Sequence, residues 1–199
     1  MKTLKNYSTV NMIIIYAFIL FMILSCGQSV KSPEVKETAS TETKASVKAP
    51  EVDLQTAIIT GDLEAVQKHI AAGSDINKKD PMSGSTPLIT AASFDKTKIA
   101  EALINASADL TPKNNDGSTA LHAAAFFCNV EIVQLLIDAK ADKSVKNNFG
   151  ATPRETVTGP FEAVKPVYEM LQQQLGPLGL QIDLKEIEKT RPVIAMMLQ

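Results

Sequence analysis

The side chains that most often do chemistry in proteins are scarce in this sequence. His69 and His122 are its only histidines, Cys26 and Cys128 are its only cysteines, and it contains no tryptophan. Neither histidine has a glutamate or a second histidine at metal-ligand spacing, so we expect no metal site. The sequence also lacks a glycine-rich phosphate loop, a nucleophile elbow and a dinucleotide fingerprint. It therefore predicts a protein that is not an enzyme and takes no cofactor.

Cys128 is the one candidate nucleophile outside the N-terminal region. A reactive thiol needs an adjacent base and a lowered pKa, and no motif around Cys128 supplies either. The paired acids Asp62 and Glu64 fit the start of a helix, where negative charge is favoured, better than acid–base catalysis. We expect a structural role for Cys128 and a surface position for His69. A thiol redox role at Cys128 is the remote alternative.

The overall charge gives no sign of a nucleic-acid partner. Twenty basic residues stand against 22 acidic ones, for a formal net charge of −2. A nucleic-acid-binding domain normally carries a clear excess of basic residues, so this class of partner is not expected. With 45% hydrophobic and 21% charged residues, the composition is that of a globular protein.

The first 25 residues have the pattern of a secretory signal. Lys2 and Lys5 precede an unbroken apolar run from Met12 to Leu24. As a helix this run would extend only about 20 Å, against a hydrocarbon core of about 30 Å, so a stable transmembrane helix is the weaker interpretation.

Cys26 ends this region in a recognisable context. Ile23-Leu24-Ser25-Cys26 resembles the lipobox of bacterial lipoproteins, in which the cysteine is lipidated and becomes the N-terminus. The resemblance implies a signal peptide over residues 1–25 and anchoring to a bacterial membrane through the lipid alone. Gly27, which is not acidic, favours the outer membrane or the periplasmic face of the envelope. The alternatives are cleavage near Ser25 without lipidation and an anchor that is not cleaved.

Residues 26–50 read as the lipidated cysteine followed by a disordered tether. After Cys26 the segment is rich in serine, threonine, lysine and glutamate, and it contains no aromatic residue, leucine or isoleucine. Such a composition cannot bury a hydrophobic core.

From Asp53 onward the chain repeats itself. Gly84-Ser85-Thr86-Pro87-Leu88 recurs as Gly117-Ser118-Thr119-Ala120-Leu121 and again as Gly150-Ala151-Thr152-Pro153-Arg154, 33 residues apart. Each period contains two helical stretches, and the threonines and Pro87 suit the starts of the first helices. A position between the two helices holds Gly61, Asp95 or Cys128. If that position is left-handed, Cys128 costs about 1 kcal/mol there.

A 33-residue period with a Thr-Pro-Leu-His type of start resembles the ankyrin repeat, and Asn114 to Lys146 is the best copy. The resemblance implies an all-α ankyrin-repeat solenoid over residues 51–175, with about four helix-turn-helix repeats that share one stacked core. The first and last repeats would act as caps. It also implies that His122 ties its repeat to the backbone of an adjacent loop.

The C-terminal part departs from the repeat. Gly159-Pro160 and Pro166 are expected to break the helical period of the fourth copy. Asp183 to Glu186 has the spacing of a capping box, and Arg191-Pro192 is expected to interrupt the helical pattern that follows it. Residues 176–199 are therefore predicted to form a C-terminal helical cap, in which residues 183–198 form one or two short helices that close the apolar end of the array.

The resemblance also implies where a partner would bind. In ankyrin proteins, partners contact the loop tips and the exposed ends of the first helices. The matching positions chosen here are Met82, Phe94, Lys113, Asn115, Asp116, Phe126, Phe127, Asn148 and Phe149. Alternatively, Phe94 or Phe126 fills a groove between repeats, or the C-terminal tail folds back over them.

The function expected from these features is binding of another protein by a monomeric, lipid-anchored module in the bacterial envelope. The alternative is an inhibitor, regulatory subunit or assembly factor of an envelope enzyme. It would use the same surface.

Overall fold

A computed structural model describes residues 49–199, and all regular structure in this range is helical. The leader, Cys26 and nearly all of the tether lie outside the described residues. The helices are α1 (Leu54–Thr60), α2 (Leu63–Ala71), α3 (Pro87–Ser93), α4 (Thr97–Asn105), α5 (Ala120–Phe126), α6 (Val130–Asp138), α7 (Glu155–Thr158), α8 (Phe161–Leu175) and α9 (Leu184–Met197). A short 3-10 turn, Gly176–Leu178, follows α8.

The helices stack in two layers. The first helices α1, α3, α5 and α7 contact one another in that order, and the second helices α2, α4 and α6 form the layer behind them. Leucines and isoleucines of both layers, with small alanines between them, form one continuous core. This arrangement confirms the predicted ankyrin solenoid, in which no single repeat could bury its apolar face alone.

Local signals set the starts of the first helices. The Thr86 side chain accepts from the backbone N–H of Ile89 at 3.4 Å, and Pro87 occupies the first turn. The Thr119 backbone N–H donates to His122 Nδ1 at 3.2 Å, and their side chains are also in contact. The predicted capping by a threonine side-chain oxygen is therefore confirmed for Thr86, whereas at Thr119 the His122 side chain reaches back to the N-cap backbone.

The turn between paired helices is left-handed in three successive repeats. Gly61, Asp95 and Cys128 have φ values of 79°, 52° and 59°. The conformation favours glycine, because a Cβ atom crowds the backbone there. Asp95 and Cys128 adopt it because the stacked helices on either side fix the turn.

Two predicted helix breaks are wrong. Pro166 lies within α8 and Pro192 lies within α9. A proline inside a helix removes one backbone hydrogen bond, but both prolines are exposed, so water can reach the freed carbonyl groups. Around Pro192, the buried residues Ile187, Arg191 and Ile194 hold the helix against the array.

The fourth unit is discontinuous in sequence. The helix α9 packs on both α6 and α7, where the second helix of a fourth repeat is required. The helix α8 comes between α7 and α9 in the chain and is an insertion into this unit. The predicted C-terminal cap is thus a single helix, and Asp183 begins it by accepting from the backbone N–H groups of Lys185 and Glu186. None of the helices in residues 49–199 is long and apolar enough to cross a membrane.

Candidate functional site

Hydrogen bonds from two asparagines align the loops that precede α3, α5 and α7. We call residues 81–84, 114–117 and 147–150 the loop tips. The Asn115 backbone N–H donates to Ser83 O at 3.0 Å, and its Nδ2 donates to Met82 O at 2.7 Å. One repeat later, Asn148 donates in the same way to Asp116 O and Asn115 O, both at 2.9 Å. The two amide side chains therefore hold neighbouring tips in register.

Two apolar side chains project from the outer tips. Met82 is 68% exposed and Phe149 is 48% exposed, although both are large hydrophobic residues. Asp116, on the middle tip, is also exposed. Lys113 lies just before that tip and donates from Nζ to Lys146 O at 2.9 Å, which adds a further link between repeats.

The phenylalanines at the ends of the first helices are half-buried. Phe126 and Phe127 are in edge-to-face contact, with ring centroids 5.1 Å apart. Tyr168 of α8 stacks on Phe126 at a centroid distance of 4.6 Å. Phe126 is thus partly covered by α8, which precedes the C-terminal tail in the chain. Its contact with a partner stays a prediction.

A groove of about 440 Å³ adjoins this cluster. Its walls are the inter-helix turns of the second and third repeats and the segment that leads into α9. Phe94 and Phe127 line it from the array, whereas Leu180 and Ile187 line it from the C-terminal segment. The groove is also lined by four charged residues, Asp95, Lys96, Asp183 and Glu186.

Cys128 lies in the wall of the same groove. Its Sγ is 3.8 Å from Ile187 O, and burial raises the pKa of the thiol to about 11. The thiol is therefore protonated at neutral pH and is a poor nucleophile. This environment agrees with a structural role and speaks against redox chemistry.

Tyr168 and Arg191 form a buried polar cluster behind Phe126. The Tyr168 hydroxyl donates to Phe126 O at 2.6 Å, and Arg191 Nη1 lies 3.4 Å from the same hydroxyl. Arg191 Nη2 donates to Gly159 O at 2.9 Å, and only 3% of the arginine is exposed. Burial is the main reason that the pKa of Tyr168 is raised, so its hydroxyl stays protonated.

The repeat pattern does not indicate this pair. Tyr168 has no counterpart in the repeat, and Arg191 stands out in the sequence only as the residue before Pro192. The available signal was a single arginine before the apolar run Val193 to Leu198.

The two histidines are both structural. His122 Nε2 bonds to Ala151 O at 3.1 Å, which joins the third repeat to the fourth as the resemblance implied. His69 was expected at the surface, but it is 7% exposed and bonds to Val52 O at 2.7 Å and Ser74 Oγ at 3.0 Å. The surface prediction is wrong because Val52, in the segment that precedes α1, lies against the His69 ring on α2. Within residues 49–199, no group of three or more acidic, histidine or cysteine side chains is placed to hold a metal ion.

Comparisons with known proteins agree with this architecture. Residues 54–147 match the sequence model of the ankyrin-repeat family in three copies. A comparison with curated proteins found no match. Among solved structures, the chain is similar to the ankyrin repeat domain of Bcl-3, described as a unique member of the IkappaB protein family.

That similarity has a TM-score of 0.51 and 29% sequence identity, and it covers 58% of this chain. The chain spans half the length of the Bcl-3 structure. Ankyrin repeats are typically non-enzymatic modules that bind other proteins. Residues 54–147 therefore match ankyrin repeats, and the described helices stack into a solenoid of that type.

Proposed function

We propose that this protein is a monomeric, non-enzymatic binding module held on a bacterial membrane by a lipid on Cys26. It binds another protein through the loop tips and the ends of the first helices, and it does not bind nucleic acid. The lipobox-like sequence before Cys26 supports the anchor, and the tether composition supports display of the repeats at a distance from the membrane.

The observation that carries the binding surface is the exposure of Met82 and Phe149. Large apolar side chains surrounded by polar groups are typical of protein contact sites. The asparagine hydrogen bonds fix the loop tips before any partner arrives, so little loop ordering opposes binding. Rigid loops with apolar ends are therefore well suited to gripping another protein.

Co-purification tests this surface. The full-length protein is extracted from its native envelope in mild detergent, either as wild type or with Met82→Ser and Phe149→Ser combined. We expect the double variant to recover at least tenfold less of the specific partner than the wild type does. Met196→Ser is the matched control, because Met196 is 61% exposed but lies on α9, outside the loop tips.

The control variant should recover the partner as well as the wild type does. Equal recovery by the double variant would show that the loop tips are not the contact surface.

Membrane fractionation tests the anchor. Changing Cys26→Ala removes the acceptor of the lipid, so the protein should move from the membrane fraction to the soluble fraction. Retention of the variant on membranes would contradict the anchor.

A further inference from the structure

The insertion between α7 and α9 crosses the array. We call residues 160–182 the strap. Tyr168 of the strap packs at the end of α5, whereas Gly179 lies beside α1. A side-chain carbon placed at Gly179 would be 4.0 Å from Ile59 O. The strap therefore runs from the last unit back toward the first, past the ends of the first helices.

One side chain anchors the helical part of the strap. Tyr168 is the only buried residue of the 15 in α8, and its exposure is 0%. In the loop that follows, Leu180 is buried at 3% exposure. The other large apolar side chains of α8 are only half-buried. A helix with a single fully buried residue is held less firmly than the core helices, and such segments open more readily.

The surface beneath Tyr168 is complementary to a phenol. The Phe126 ring offers an apolar face, Phe126 O accepts the hydroxyl proton, and Arg191 Nη1 can donate to the hydroxyl oxygen. Phenylalanine lacks the hydroxyl, and serine lacks the ring, so neither would satisfy all three groups. A tyrosine side chain meets all three requirements.

We propose that the strap is a releasable occupant of the binding surface and that the protein partner displaces it. The partner presents a tyrosine of its own, which takes the place of Tyr168 against Phe126 and Arg191. This proposal rests on the proposed function, because it assigns the partner to the ends of the first helices.

The chain can open here without losing the fourth unit. The strap begins after the exposed Gly159 and ends before Asp183, which starts α9. The helix α9 keeps its own contacts with α6 and α7. Since Leu180 also lines the groove beside Phe94 and Phe127, displacement of the strap would open that groove as well.

Hydrogen exchange of the full-length protein tests release of the strap without any partner. In the wild type, we expect the amides of α8 to exchange at least a hundredfold faster than those of α5. Tyr168→Ala should accelerate α8 at least tenfold further and leave α5 and α9 unchanged. Glu169→Ala is the matched control, because Glu169 is the exposed neighbour, and it should have no effect.

Two exchange results would overturn release. One is a common exchange rate for α8 and α5 in the wild type. The other is an equal acceleration of α5, α8 and α9 by Tyr168→Ala, which would mean that the tyrosine only supports the fold.

A labelled synthetic peptide of residues 160–182 tests the tyrosine site. Fluorescence polarisation should show at least tenfold tighter binding to the full-length Tyr168→Ala protein than to the wild type, whose site is occupied. A peptide carrying Tyr168→Ala should bind neither protein. Equal affinity of the two peptides for the Tyr168→Ala protein, or no binding by either, would overturn the tyrosine site.

Failure of this proposal and failure of the proposed function give different results. Failure of the co-purification test would remove the partner from the proposal but would leave release of the strap and its tyrosine site standing. Conversely, a rigid strap would leave the loop tips as a binding surface.

Discussion

His122 links the third repeat to the fourth, and its removal should weaken that junction. The ring is 1% exposed and bonds to Thr119 N–H and to Ala151 O. His122→Ala leaves both backbone groups without these partners, at about 1–3 kcal/mol for each buried group. The two groups sum to about 2–6 kcal/mol, and because Ala151 is only half-buried we expect the free energy of unfolding to fall by the lower part of that range, about 2–4 kcal/mol. This is a large fraction of the roughly 5–15 kcal/mol typical of a domain.

Urea denaturation followed by far-UV circular dichroism measures this loss. Since His122 contacts the loop before α7, the fourth unit should separate first, and the variant should unfold over a broader transition. A loss below about 0.5 kcal/mol would refute the role of His122 as a link between the third and fourth repeats, because substitutions at surface positions also reach that size.

The same side chain should make stability depend on pH. Burial lowers the pKa of His122 below its usual value, so the folded protein favours the neutral ring. The unfolded chain binds the proton near pH 6.5. The stabilisation is thus present above about pH 6.5 and is lost as the pH falls from there through the lower pKa of the folded state.

His122→Asn cannot titrate in this range. Between about pH 7.5 and pH 5, its stability should change less than that of the wild type. An identical pH dependence in the two proteins would contradict the prediction.

Two further predictions concern the left-handed turns. Asp95→Gly should raise the free energy of unfolding by up to about 1 kcal/mol, since glycine adopts a φ of 52° without the Cβ penalty. Thermal denaturation would detect this gain as a higher melting temperature. A lower melting temperature of the variant would refute the prediction. At about pH 8, the Cys128 thiol should react with a maleimide about a hundredfold more slowly than a free cysteine, because its pKa is about 11 instead of 9.0. Mass mapping of the labelled peptide would distinguish Cys128 from Cys26. Labelling of Cys128 at the rate of a free cysteine would refute the prediction.

The repeat could be predicted because its signals are local. Thr86 and Pro87 begin a helix through contacts within one turn, and the left-handed turn at Cys128 recurs at the repeat period. Neither feature depends on a distant segment.

The C-terminal part could not be predicted in the same way. Proline preferences indicated helix breaks at Pro166 and Pro192, but packing and solvent access at those positions outweigh a single lost hydrogen bond. No local pattern reveals that α9, and not α8, packs on α6 and α7.

The candidate site also has a part that local sequence signals predict and a part that depends on distant segments. The loop tips follow from the repeat register, and Met82 and Phe149 are exposed there. Asn115 and Asn148, predicted as contact residues, are exposed and also bond to neighbouring loops, so their contact with a partner stays a prediction. The cover over Phe126 depends on Tyr168, which is distant in sequence and lies outside the repeat.

The split fourth unit also affects the order in which the protein can assemble as it leaves the ribosome. The helix α6 is made well before α9, so its outer apolar face stays uncovered while the intervening residues are added. At about 5–20 residues per second, this interval lasts several seconds. During that time the end of the nascent array exposes apolar side chains that could associate with other chains. A chaperone would be most useful at this end.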